Sequence, residues 1–144
     1  MREILFKAKQ IDNGEWIEGS LIDLDIDSGY CYIVQPYKKA SILPIIFLIT
    51  DRMKLVDPET LCQFTGICDK NGNRIWENDI LMAHLDESYP EDVTYETVEW
   101  GVAGWVGHEA NSIGRQYLDE FDTKYYEVVG NTFDNPELLQ EEHK

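Results

Sequence analysis

At 144 residues, with 43% hydrophobic and 12% aromatic side chains, the chain carries enough apolar material for a buried core, which argues against disorder despite a net charge of −16. A field of that sign repels phosphate backbones, whose binding depends on Lys and Arg displacing counterions, so direct nucleic-acid binding is disfavoured and cationic proteins, metal ions or plain solubility are favoured. The acids are uneven: residues 1–60 sum to −3 and residues 61–144 to −13. One domain is expected, or two packed subdomains over 1–60 and 61–144.

In chain order, residues 3 to 9 alternate, with Ile4, Phe6 and Ala8 on one side and Lys7 and Lys9 on the other, the period-2 pattern of a half-buried strand. Asp12-Asn13-Gly14 turns the chain into a second strand, Trp16 to Asp27, in which Ile22, Leu24 and Ile26 share a face opposite Asp23, Asp25 and Asp27. Ser28-Gly29 is a tight turn, and Tyr30 to Gln35 returns as the partner strand. Pro36 to Ala40 is a polar loop. Ser41 to Thr50 is a strand candidate that Pro44 demotes to an edge or a bulge. Asp57-Pro58-Glu59-Thr60 is a turn.

Residues 61 to 82, LCQFTGICDKNGNRIWENDILM, place a polar turn on Asn71-Gly72 between apolar arms and read as a hairpin, with Phe64, Ile75 and Trp76 in the core. Ile80 to Leu85 continues as a strand, Asp86 to Asp92 is an acidic loop, and Thr94 to Trp100 and Trp105 to His108 are two strands closed by Gly101 to Gly104. Trp100 and Trp105 flank that turn closely enough to pack across it. Asn111 to Asp122 is the least patterned stretch. Tyr125 to Val129 is a last strand, and Asn135-Pro136-Glu137 predicts a helix from Pro136 to about Glu142. The fold class is therefore mainly β: a meander of short antiparallel strands forming a small barrel or paired sheets, with a short C-terminal helix.

Cys31, Cys62 and Cys68 are odd in number and lack a C-x-x-C pair, so reduced thiols in a cytoplasm fit better than disulfides or a zinc knuckle. The N-terminus lacks the apolar run of a signal peptide, and Ile42 to Ile49 is far short of the ~20 residues of a membrane helix. Asp23, Asp25 and Asp27 resemble a calcium loop in spacing, but Ser28 and Val34 stand where it needs Gly and Glu. His84, His108 and His143 lack the spacing of a helical zinc pair. Asp69, Glu77 and Asp79 could converge on a divalent metal, the requirement of a metal-dependent enzyme, yet Asp69 and Asp79 are also the residues that bend a chain. No catalytic residue and no cofactor is called for.

The hairpin is where the chain becomes recognisable. Gln63-Phe64-Thr65-Gly66, Asp69-Lys70-Asn71-Gly72 and Ile75-Trp76-Glu77-Asn78-Asp79-Ile80 resemble the core motif of the YopX family of phage and prophage proteins of Gram-positive bacteria. Met1 to Ile4, Asp12 to Trp16 with Glu18-Gly19, Val56 to Thr60, Val98 to Trp100, Val129 to Asn131 and Asn135 to Leu139 extend the likeness. Asn78 replaces a usual glycine and Cys62 stands where one is common; Asn is the non-glycine residue most tolerant of left-handed backbone angles. The resemblance implies a predominantly β, phage-derived cytoplasmic protein and no established reaction. Asp69, Asn71, Gly72, Asn78 and Asp79 are expected to set turns. Trp76, Trp100 and Trp105 are the candidate interface or core aromatics of a scaffold that binds a protein or itself. An acidic decoy that mimics DNA is the competing expectation, a metal enzyme the third.

Overall fold

The computed structural model describes residues 3–35, 52–84, 91, 93–109, 114–119 and 122–140. The chain divides into two compact units, Met1–Gln63 and Phe64–Lys144.

In the first unit the alternation at the N-terminus becomes β1 (Phe6–Lys9), followed by β2 (Trp16–Asp25), β3 (Tyr30–Val34) and β4 (Met53–Val56). Each pairs antiparallel with the one before it, and the first residues of β5 (Cys62–Cys68) lie along the other side of β1. Gly14, at φ 71°, donates to Gln10 O at 2.9 Å and closes the first hairpin. β4 then meets the end of β1: Gln10 bridges Val56, Ile11 N–H donates to Leu55 O at 3.1 Å, and Asp57 N–H donates to Lys9 O at 2.8 Å. Four strands thereby close on themselves, which removes the free edges a flat sheet would expose. Ala8, Ile17, Cys31, Ile33 and Val56 fill the interior, with Phe6, Leu21 and Leu61 packed around them. Gly19 lets β2 and β3 approach, because a Cβ there would lie 2.1 Å from Val34 O.

Sequence and structure part in three places here. Ile4 precedes β1 and is 60% exposed. The expected apolar face of β2 fails at Leu24, 66% exposed, because the register shifts between Asp23 and Asp25 and the strand gives way to a 3-10 turn at Ile26–Ser28. Strand β4 was not anticipated. The candidate strand Ser41 to Thr50 and the loop before it lie outside the described residues, as does the acidic loop Asp86 to Asp92 apart from Glu91.

In the second unit β5 pairs with β6 (Arg74–Trp76), and a five-stranded antiparallel sheet follows, in the order β10-β9-β8-β7-β11. Its strands are β7 (Asp79–His84), β8 (Val93–Trp100), β9 (Trp105–Glu109), β10 (Arg115–Tyr117) and β11 (Tyr126–Asn131). The core is Ile75, Leu81 and Val98, with Ile67, Trp105, Leu118, Tyr126 and Val128 against it. The unpatterned stretch thus contains a strand, β10, whose three side chains are all exposed and so leave no alternation to read. The expected C-terminal helix is a single 3-10 turn, Pro136–Leu139, and Asn135 makes no side-chain cap. Its Oδ1 accepts instead from Asn131 N–H at 3.2 Å, so the helix start signal is spent on fixing the end of β11.

Candidate functional site

Two groups of residues qualify as a site. The first is the turn that organises the hairpin. Asp69 is 6% exposed, and its carboxylate accepts four hydrogen bonds. Oδ1 takes the N–H groups of Asn71 (2.9 Å) and Asn73 (2.8 Å). Oδ2 takes the Asn73 side-chain amide (3.4 Å) and Val128 N–H (2.9 Å). Gly72, at φ 83°, donates to Asp69 O at 3.0 Å and completes the bend. Burial pushes the Asp69 carboxyl up, but the Val128, Asn73 and Asn71 N–H groups and the Asn73 amide outweigh it and hold the group below the ordinary aspartate value. Lys70 N–H donates to Tyr126 O at 3.1 Å and Asn71 Nδ2 to Glu127 at 3.2 Å, so the turn seals the outer edge of β11.

One turn later, Asn78 adopts φ 69°, and its backbone joins Val98 O (2.8 Å) and Thr132 N–H (2.9 Å). Asp79, 2% exposed, accepts from Trp76 N–H at 2.8 Å. Asp69 therefore commits both oxygens to amide donors of its turn and of β11, and Asp79 Oδ2 is committed to the Trp76 backbone amide. Glu77 is half-buried between them in sequence, and among the described residues no three His, Cys, Asp or Glu side chains are placed to hold a metal together. A metal centre on Asp69, Glu77 and Asp79 has no geometric support. The bulge at Thr65-Gly66 belongs to the same frame: Gly66 has φ 87°, and Thr65 Oγ1 donates to Ile75 O at 2.8 Å.

The second group is aromatic. Trp76, 5% exposed, packs on Phe64 with centroids 5.5 Å apart and is a core residue. Trp100 and Trp105 are cross-strand partners at the end of the β8–β9 hairpin, their rings 4.9 Å apart and edge-on at 73°. Trp105 rests on the core, whereas Trp100 is 61% exposed. Val102, at the tip of that hairpin, is fully exposed, and Tyr117 of β10, 54% exposed, lies beside Gly104. Trp100 thus stands as an exposed aromatic side chain braced by Trp105 beside the hairpin tip, whereas Tyr117, directly across from Val106, faces the other side of the sheet. On the same face as Tyr117, and opposite to Trp100, Glu99 receives Arg115 Nε at 3.4 Å and sits 3.2 Å from His108 Nδ1. Sequence reasoning found Trp100 and Trp105 but not Glu99, His108, Arg115 and Tyr117, which share the other face of the sheet. The pairing of β9 with β10 brings them together, and only the Gly101 to Gly104 turn signalled its position. A recess of about 130 Å³ lined by Ile11, Asp12, Lys54 and Leu55 in the first unit is too small for an ordinary substrate.

The fold defines a class: an all-β protein of antiparallel sheets in which the buried Asp69 and Asp79 hold turns through backbone amides. The chain belongs to the YopX family; the family model, described as YopX protein, matches residues 5–140. The crystal structure of protein EF1440 from Enterococcus faecalis has a similar fold, with a TM-score of 0.59 over 97% of this chain and 100% of that one at 19% identity. No curated protein matches.

Proposed function

We propose that this protein is a phage-type accessory protein of the cytoplasm that acts by holding another protein or a copy of itself, and that catalysis is not its role. The observation that carries the reading is Trp100, a large aromatic side chain 61% exposed yet held in place by its edge-on contact with Trp105. Rigid, partly desolvated Trp and Tyr side chains are the commonest anchors of protein interfaces, because they bury much area while losing little rotamer freedom. Val102, fully exposed at the tip of the same hairpin, adds apolar surface near that anchor. The acids of the remaining surface keep the protein soluble.

The test is retention of partners by the immobilised full-length protein from extract of the infected or lysogenic host, compared with W100A. A specific partner should be retained at least ~10-fold less by W100A, the loss of one anchor residue. Equal retention by the two proteins would overturn the reading.

A further inference from the structure

We infer that the open edge of β10 joins two copies of this chain about a two-fold axis at Gln116. The inference rests on the binding role proposed above and names the partner. It moves the contact from Trp100 to the adjoining backbone edge.

The outer side of β4 is bonded to Gln10 and Ile11, and that of β11 to the turn at Asp69 to Asn71. β10 differs: Arg115, Gln116 and Tyr117 are all exposed, and among the described residues they pair with β9 alone. Leu118 N–H donates to Trp105 O at 2.9 Å, which fixes the phase of the ladder. Successive residues of an antiparallel strand point their N–H and C=O groups alternately to the two sides, so Gln116 bonds toward β9 while Arg115 and Tyr117 present theirs outward. An edge with unpaired N–H and C=O groups is a template for another strand.

The sequence of that edge fits itself. Antiparallel pairing centred on Gln116 sets Arg115 opposite the partner's Tyr117 and Tyr117 opposite the partner's Arg115, both as hydrogen-bonded pairs, four backbone bonds in all. Directly opposed residues share a face, so each guanidinium lies beside the other copy's phenol ring, a cation–π contact made twice. Gln116 meets the partner's Gln116 on the other face, and a carboxamide can both donate to and accept from its own kind. Sliding the register by two residues loses half of the pairing and sets Arg115 against the partner's Arg115 or Tyr117 against the partner's Tyr117.

Three residues per copy make a small contact, so the dimer is weak, with a dissociation constant on the order of 10–100 µM. Each copy carries −16, so added salt tightens the association by screening repulsion. A cationic strand from another protein on the same edge would be loosened by salt instead.

Sedimentation equilibrium on the full chain over a concentration and salt series, with variants made in a C68S background to remove the exposed native thiol, tests this. Y117K sets an ammonium opposite the partner's Arg115 and should weaken the dimer at least ~10-fold. Adding R115E to Y117K makes the opposed pair complementary again and should restore it. Q116C should form an intermolecular disulfide under oxidised glutathione, since Cα atoms at such a non-hydrogen-bonded pair lie about 4.5 Å apart, while the exposed S20C control should not. Unchanged circular dichroism of each variant confirms its fold. A monomer at every concentration, a dimer indifferent to Y117K, association that weakens with salt, or equal cross-linking of Q116C and S20C would each overturn the assignment. Any of these, found together with W100A losing its partner, would leave the broader binding role standing; indifference to W100A alone would remove the aromatic anchor and not the edge.

Discussion

At the scale of single residues, Asp69 shows how a carboxylate that looks available for chemistry is committed to architecture. Its four donors come from its own turn and from Val128, 59 residues away. D69A leaves buried N–H groups without acceptors and should cost about 3 kcal/mol, read as a lower urea midpoint at unchanged slope. Because the folded value of this carboxyl is lowered, the unfolded state binds its proton first as the solution is acidified. The stabilisation is therefore complete above the ordinary aspartate value of 3.8 and is lost as pH falls through the lower folded value. Melting curves taken down through that window should converge for the wild type and D69N, while above it they stand apart.

At the scale of elements, glycines and one asparagine decide whether strands can meet. G19A places a methyl against Val34 O, and β2 must separate from β3. We expect a loss above ~3 kcal/mol, seen in chemical denaturation, since the obstacle is backbone rather than a movable side chain. At Asn78 the left-handed angle, not space, is the constraint. N78G should fall within ~1 kcal/mol of the wild type, and N78V should cost about 1–2 kcal/mol more than N78G because a β-branched residue is strained at that angle. The turn residues at Asp69 to Gly72 were legible beforehand, since Asp, Asn and Gly are required there by backbone geometry. The register shift at Leu24, the exposure of Leu24 and Ile4, and strand β10 were not. A bulge breaks the period on which strand reading depends, and three exposed residues have no period to show.

At the scale of the whole molecule, the charge of −16 should be felt as self-repulsion of the folded state. Thermal stability should therefore rise as NaCl is added from low ionic strength, by a few degrees over the range in which the screening length falls from ~30 to ~8 Å. A fall in melting temperature over that range would show that attractive ion pairs outweigh the repulsion. The pair Glu99 and Arg115 is half-exposed and is worth little against that sum.

By itself the sequence determined the mainly β class, the turns, the burial of Phe64, Ile75 and Trp76, and the family. Each of these depends on local backbone geometry or on alternation along one strand. Only the tertiary structure decided that the first four strands close on Gln10 and Ile11, that Asp69 serves β11, and that Glu99, His108, Arg115 and Tyr117 share one face of the second sheet. Those outcomes depend on which distant strands hydrogen-bond to one another, and no residue carries that information in its immediate neighbours.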